Sequence, residues 1–509
     1  MPSPCPERPR AVTKVPQTPL AIVHYRPSDP EGRPSRKRPA LEEITPQDIA
    51  SPIFHQVLLE DLNGDVQGAM INFGKRARTR TPLSQEKRRQ TAQARKGGVC
   101  ARCKKSKRQC DITQKKSPYE SCTLCAHTKL YKSVGRNPCF KSTLVDILFF
   151  RSGPASNEPL FTQRDAVFHL EDLAMPDVSV KTLELTQHIG CHHLIVHASK
   201  FAPSPEDVVS YKWQDPYGRP HELRMPDYCL TNLDTVYNYF VQYIELAKWS
   251  YFESLRAETD LGWLTVSMAI QHAKERPNSL VADALNLWAI SRMIEIPWEI
   301  CGTERLGVSP INDAHSPHHG KMLVPPIMDT QLDQIVIKKI LSPLRARILQ
   351  KFERLITPAK PEAWFEIYLS AFIFLNHIER LAKHSTCHAK KHTMPRKYSN
   401  VHFLERAFHT AKSILARFHF VCNGSAPLRV DWRSPETVAM ARLESDQVEF
   451  MKTTQTMIAA RELEVIILRG THKYEQPLYW TGQLFLENFD TSPVHVVEEP
   501  DDISVKMEA

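Results

Sequence analysis

The chain has 509 residues, room for two to four domains, and 42% of them are apolar, enough to bury a sizeable core. Glycine occurs only 17 times, about 3% against a usual ~7%, which argues against Gly-rich phosphate loops and dinucleotide folds. The formal charge of +9 is unevenly spread: residues 75–141 hold 20 Lys and Arg against 3 Asp and Glu, and the remainder holds 46 against 54. A polyanion is therefore expected to dock locally and not over the whole surface.

Residues 1–73 read as a disordered, Pro-rich arm, with twelve prolines by Pro52 and few apolar residues in any period. Residues 1–30 lack the continuous apolar stretch of a signal peptide. The best apolar run, 367–375, contains Ser370 and falls far short of the ~20 residues that cross a bilayer. An intracellular chain without membrane contact is expected, and its thiols stay reduced, so clustered cysteines read as metal ligands. Within the arm, Arg36-Lys37-Arg38 is a basic run of the kind nuclear import receptors read. Residues 53–62, apolar with acidic neighbours, suit a short helix that docks on a partner or on the main domain. Residues 74–98 form a basic arm in which Lys75-Arg76 and Lys87-Arg88-Arg89 fit an import signal better than the first run does. The same cations suit phosphate neutralisation, and no apolar stripe predicts a packed helix here.

Residues 99–141 carry six of the chain's 12 cysteines. Cys100 and Cys103 form one Cys-x2-Cys pair and Cys122 and Cys125 another; Cys110 and Cys139 each add one sulfur. Zinc prefers four tetrahedral ligands, and thiolates suit it. Six sulfurs cannot close two separate tetrahedra, but they satisfy two ions if two sulfurs bridge. Four cations, Lys104, Lys105, Lys107 and Arg108, lie between the second and third cysteines. Taken as pairs alone, the same cysteines also fit a single-zinc ribbon with Cys110 and Cys139 spare.

This segment resembles the fungal Zn(2)-Cys(6) binuclear-cluster transcription factors in the spacing of Cys100, Cys103, Cys110, Cys122 and Cys125 and in Asp111 after the third cysteine. The resemblance implies two Zn2+ ions bridged by Cys100 and Cys122, with Cys139 as the sixth ligand. It implies a basic helix in the DNA major groove, Lys107 reading guanines, and CGG-like half-sites on double-stranded DNA. Ser106 and Gln109 stand where the family commonly has cations, and the last loop, 126–138, is longer than the family's. Roughly doubling a loop costs only about 0.5 kcal/mol of closure entropy, against about 10 kcal/mol or more from structural zinc, so Cys139 remains an expected ligand.

Residues 142–177 read as a linker; Leu144, Ile147, Leu148 and Phe149 make one apolar patch, and no sustained heptads point to a dimerising coiled coil. Residues 178–230 alternate as strands, with a turn at Asp215-Pro-Tyr-Gly218, and predict a small antiparallel sheet. His188, His192, His193 and His197 lie there near Cys191, but alternation scatters them over both faces and no metal site is expected. Residues 231–490 read as a mainly helical regulatory domain. Its apolar stripe over 337–356 is kinked at Pro343, a helix opens at Pro361, and further helices are expected over 280–296, 402–421 and 436–468. Two histidine-rich stretches, His315 to His319 and His384 to His392, are expected to be exposed loops. The tail, 491–509, is acidic and offers Lys506 in an apolar-Lys-x-Glu pattern suited to a SUMO acceptor.

Gly-x-Ser-x-Gly, Walker, Gly-x-Gly-x-x-Gly and His-Glu-x-x-His signatures are absent, so catalysis is not expected. The reading is a nuclear, sequence-specific DNA-binding transcription regulator that works with the transcription machinery, with a homodimer as its candidate assembly. The alternatives are a single-zinc adaptor for protein or RNA, and an enzyme that uses a zinc module for targeting.

Overall fold

The computed structural model describes residues 84–97, 99–100, 103, 108, 110, 122–126, 147–151, 179–205, 207–257, 259–356, 361–421, 430–486 and 494. All belong to the second of two compact units, Pro82–Ala509. The arm at 1–73 with Arg36, Lys37 and Arg38, the docking segment at 53–62, Lys75, Arg76 and Lys506 lie outside the described residues.

Helix α1 (Gln85–Gly97) is polar throughout. It forms because Gln, Glu, Lys, Arg and Ala are strong helix formers, not because it packs: residues 85–89 are exposed. The Lys87 N–H donates to Ser84 Oγ at 3.4 Å, and Glu86 lies in the first turn, where the helix dipole favours an anion. A single helical turn, α2 (Thr123–Ala126), follows in the cysteine module.

Strand β1 (Lys181–Thr186) buries Leu183 and Leu185 while Thr182 and Glu184 point outward. β2 (Leu194–Lys200) buries Leu194, Val196 and Ala198. This period of two is what a half-solvated antiparallel sheet demands. β3 (Ser210–Gln214) and β4 (Pro220–Arg224) form a separate hairpin. Its turn is at Asp215-Pro-Tyr-Gly218: the Gly218 N–H donates to the Asp215 carbonyl at 2.9 Å, and Gly218 has φ +78°, a value only glycine takes freely. With β5 (Tyr228–Thr231) and the short β6 (Glu299–Ile300), the main sheet runs β5-β2-β1-β6, antiparallel throughout. The sheet therefore recruits a strand from residues 299–300, far along the chain.

The helical part comprises α3 (Leu233–Glu253), α4 (Asp260–Glu275), α5 (Leu280–Met293), α6 (Pro326–Gln334), α7 (Ser342–Ile356), α8 (Trp364–Lys391), α9 (Val401–Val421), α10 (Pro435–Ala441), α11 (Ser445–Ala459) and α12 (Glu462–Arg469). Thr259 and Ser279 cap α4 and α5 by accepting from the N–H groups of Gly262 and Ala282. The expected kink at Pro343 takes the form of a π-helical segment, Ile335–Leu341, with Pro343 in the first turn of α7. Proline has no N–H to give to the preceding turn. There the chain widens, and the Ser342 N–H and Oγ both donate to the Ile337 carbonyl. The single helix expected over 436–468 is three helices, because Arg442 turns left-handed at φ 51° and Glu444 with Gln447 forms a capping box that starts α11 afresh.

Helix α8 is the centre of the body. Between Trp364 and Ala382 it is buried on nearly every side, as a helix that is apolar all round must be. It packs against α9, α5 and α4. Phe374 meets Phe149 at 4.7 Å and Phe352 at 6.2 Å between ring centroids. Phe149 comes from residues 147–151, part of the apolar patch that follows the cysteines, so this stretch is built into the core. Leu148 N–H donates to Thr410 Oγ1 at 2.7 Å, and Arg345 Nε donates to the Ile147 carbonyl at 2.9 Å. Buried His377 lies 2.5 Å from the Phe149 carbonyl through Nε2 and 2.9 Å from Arg292 through Nδ1. Burial, together with Arg292, keeps its pKa well below the usual histidine value, so it stays neutral. Among the described residues, no helix is long and apolar enough to cross a membrane.

Candidate zinc centre

Five of the six expected cysteine ligands are described; Cys139 lies outside, as do Lys104, Lys105 and Lys107. Cys100 and Cys103 start the site as a knuckle. The Cys103 N–H donates to Cys100 Sγ at 3.3 Å, and the Arg108 N–H closes a turn on the Cys103 carbonyl at 3.0 Å. Cys122 stands just before α2 and Cys125 within it, and both sulfurs reach the same group. The Sγ atoms of Cys100, Cys103, Cys122 and Cys125 all lie within 4.8 Å of one another. Cys103–Cys122 is 3.7 Å, Cys100–Cys125 is 3.8 Å and Cys100–Cys122 is 4.0 Å.

These separations discriminate between chemistries. A disulfide needs sulfurs about 2.05 Å apart. Zinc–sulfur bonds of about 2.3 Å put tetrahedral ligands about 3.8 Å apart, and the three distances cluster there. Cys100, Cys103, Cys110 and Cys122 are buried and Cys125 half-buried, and their cluster contains no other apolar side chain among the described residues. Burial pushes the Cys103 thiol up to about 11, with Cys122 and Cys110 adding to the rise. Packed thiols of this kind have no favourable anionic state on their own; a divalent cation supplies one. The donor set fits zinc.

Cys110 is buried close enough to Cys103 to raise its pKa but does not belong to the four-sulfur group. Arg108 is exposed beside the cysteines, and Lys87, Arg88 and Arg89 are exposed on α1.

Elsewhere the structure corrects one expectation and keeps another feature small. The stretch from His384 to Lys391 forms the last two turns of α8 instead of a loop, and His318 comes against it. His388 stacks on His392 at 4.1 Å, and His392 meets His318 at 5.7 Å. Burial lowers His318 to about 3 and His388 and His392 to about 4, so the trio packs as neutral rings. A cavity lined by Ile458, Val465, Phe485 and Leu486 measures about 60 Å³, well under the ~300 Å³ where small-molecule sites begin.

Residues 155–484 match the model of the KpeA transcription factor family, which is more than half of the chain. The chain belongs to the KpeA transcription factor family. The KpeA match covers the sheet and the helices of the body and leaves the cysteine module at 100–139 outside it. The chain is also 22% identical over 462 residues to the satratoxin biosynthesis SC3 cluster transcription factor SAT20 of Stachybotrys chartarum. That alignment takes in 86% of this KpeA-family chain and 63% of the relative, so the chain spans under two thirds of the relative's length. No solved structure matches. In this chain of the KpeA transcription factor family, the described residues form a mainly helical domain, a small antiparallel sheet and a cysteine cluster suited to zinc.

Proposed function

We propose that this protein binds specific DNA sequences in the nucleus through a binuclear zinc cluster. Cys100, Cys103, Cys110, Cys122, Cys125 and Cys139 hold two Zn2+ ions, with Cys100 and Cys122 bridging. The observation that carries this is the sulfur packing: Cys100 and Cys122 each lie at tetrahedral-edge distance from a further cysteine, 3.8 Å and 3.7 Å, while Cys110 is buried on the Cys103 side. These distances are compatible with two ions sharing two sulfurs and support that reading. Lys104, Lys105, Lys107 and Arg108 then face the duplex, release phosphate counterions, and read CGG-like half-sites through Lys107. Exposed Lys87, Arg88 and Arg89, with Arg36, Lys37, Arg38, Lys75 and Arg76, serve nuclear import. Lys506 is the SUMO acceptor in the tail. The protein acts as a homodimer with the transcription machinery and catalyses no reaction. The relative is named for a biosynthetic cluster, so genes of such a cluster are the first targets to test.

The test is a count of zinc retained per full-length chain after passage over a weak chelator, in wild type and in Cys110→Ser and Cys139→Ser. Two ions, falling in both variants, are expected. The Lys107→Ala variant should lose discrimination between cognate and scrambled duplex. Equal loss on both duplexes would make Lys107 a phosphate contact only. One observation favours a second reading: four sulfurs mutually within 4.8 Å also suit one ion. A single zinc, indifferent to both serine variants, would select that reading and a single-zinc adaptor.

A further inference from the structure

A second group of metal-ligating side chains comes together on the outer face of the main sheet. Glu184, His193 and Cys301 each offer one ligand atom, all within 4.8 Å of one another. Strand register explains the meeting. Leu185 of β1 pairs with Ile300 of β6 on one side and Leu194 of β2 on the other. One step back along β1, Glu184 faces Cys301, whose N–H donates to the Glu184 carbonyl at 3.0 Å. Across the other edge Glu184 pairs with Ile195, and His193, two residues before Ile195, shares that face. His193 Nδ1 lies 3.1 Å from Glu184 Oε2, and Cys301 Sγ lies 3.4 Å from the Glu184 carbonyl oxygen.

A neighbouring glycine makes room for this grouping. A Cβ on Gly302 would approach the Cβ, Cγ and Cδ of Glu184 to 3.1, 3.3 and 3.4 Å. A side chain there would force Glu184 to shift. The Glu184 and His193 side chains are 48% and 44% exposed, so solvent reaches the group.

We propose that Glu184, His193 and Cys301 form an exchangeable zinc site, separate from the cysteine module, with water as the fourth ligand. One thiolate, one imidazole and one carboxylate are borderline donors that match zinc, and three protein ligands with an open fourth position are a recognised zinc arrangement. Binding displaces the Cys301 thiol proton to solvent and leaves a thiolate–zinc bond. The ion ties β1, the start of β2 and the end of β6 together. The site does not depend on how the cysteine module reads DNA.

The experiment uses the full-length protein, freed of loosely held metal by a weak chelator and then titrated with zinc against a competing indicator. Wild type should take up one exchangeable zinc beyond the chelator-resistant ions. Glu184→Gln, His193→Ala and Cys301→Ser should each weaken that uptake by at least about 100-fold, the upper end of what losing even an outer-shell partner costs. With Co2+ in place of zinc, the exchangeable ion should give a thiolate charge-transfer band that Cys301→Ser removes. His197→Ala is the control, because His197 lies on the same face but meets Thr182 at 3.2 Å. Equal uptake in wild type and all three variants would overturn the proposal, as would an equal loss in His197→Ala, which would mean scattered surface imidazoles. The chelator-resistant zinc, read in the same samples, reports on the cysteine module alone.

Discussion

Around residues 100–125 the buried cluster is four cysteines with Cys125 against them. In the body it includes Trp288, Trp298, Tyr368, Phe374 and Trp480, all essentially sealed from water. The two regions meet the same requirement, offsetting the entropy of an ordered chain, with different chemistry. About 40 residues bury too little apolar surface to fold alone and need disulfides, metals or partners. A body of some hundreds of residues does not, because its buried fraction rises with size. A cation should therefore be indispensable to folding of the first region, whereas the second folds without one.

Metal removal tests this contrast most severely. A strong chelator should cost the module on the order of 10 kcal/mol and expose its 100–139 segment to protease. Starting from protein already freed of exchangeable zinc, the thermal transition of the body should stay in place; a matching drop would mean that the two regions unfold as one unit. The converse is Phe374→Ala, which removes a ring packed on Phe149 and Phe352. Denaturant titration should record a loss of about 3–5 kcal/mol, with retained zinc per chain unchanged.

A third test uses a buried acid. Glu379 Oε1 accepts from the N–H groups of Trp480 and Thr481, both at 2.8 Å, and from Thr481 Oγ1 at 3.0 Å. Burial nevertheless pushes its pKa up to about 7, against the lowering effect of those donors. An unfolded glutamate titrates near ~4.3. The native state thus keeps a proton that the unfolded chain gives up as pH rises. The stability linked to this group is fully present below the unfolded pKa and declines through the window up to about 7, by about 3 kcal/mol in all. Glu379→Gln keeps the accepting Oε1 without the charge, so its urea midpoint should fall less between pH 4.5 and 7.5 than that of wild type. Parallel profiles would show that Glu379 titrates normally. The smallest effect belongs to Lys339→Ala. Its partner Asp234 is 94% exposed, and such pairs contribute little, so the unfolding midpoint should not move.

Much of this architecture was legible along the chain. The spacing of Cys100, Cys103, Cys110, Cys122, Cys125 and Cys139 pointed to one six-sulfur cluster; four of those sulfurs, of Cys100, Cys103, Cys122 and Cys125, converge, and Cys139 lies outside the described residues. Alternation identified a small sheet, and three- and four-residue recurrence identified helices. The failures have local causes. The break at Arg442 depends on a left-handed residue that no stripe announces. The histidines at 384–391 read as a loop because they are polar, yet they extend α8 where His318 covers them. The absence of an apolar stripe over 85–97 agrees with a helix whose residues 85–89 are exposed and which propensity alone sustains.

The sequence by itself determined the donor chemistry, the basic segment around it and the periodicity of each element, because these are properties of neighbours in the chain. Only the tertiary structure decided which distant residues share a face. Cys301 stands 117 residues from Glu184 and meets it because Leu185 pairs with Ile300 and not with the next residue along. A slip of one residue would turn Cys301 to the core side, since strand side chains alternate with a period of two. Residues 147–151 likewise follow the cysteines in sequence and lie in the core only because Phe374, Thr410 and His377 receive them.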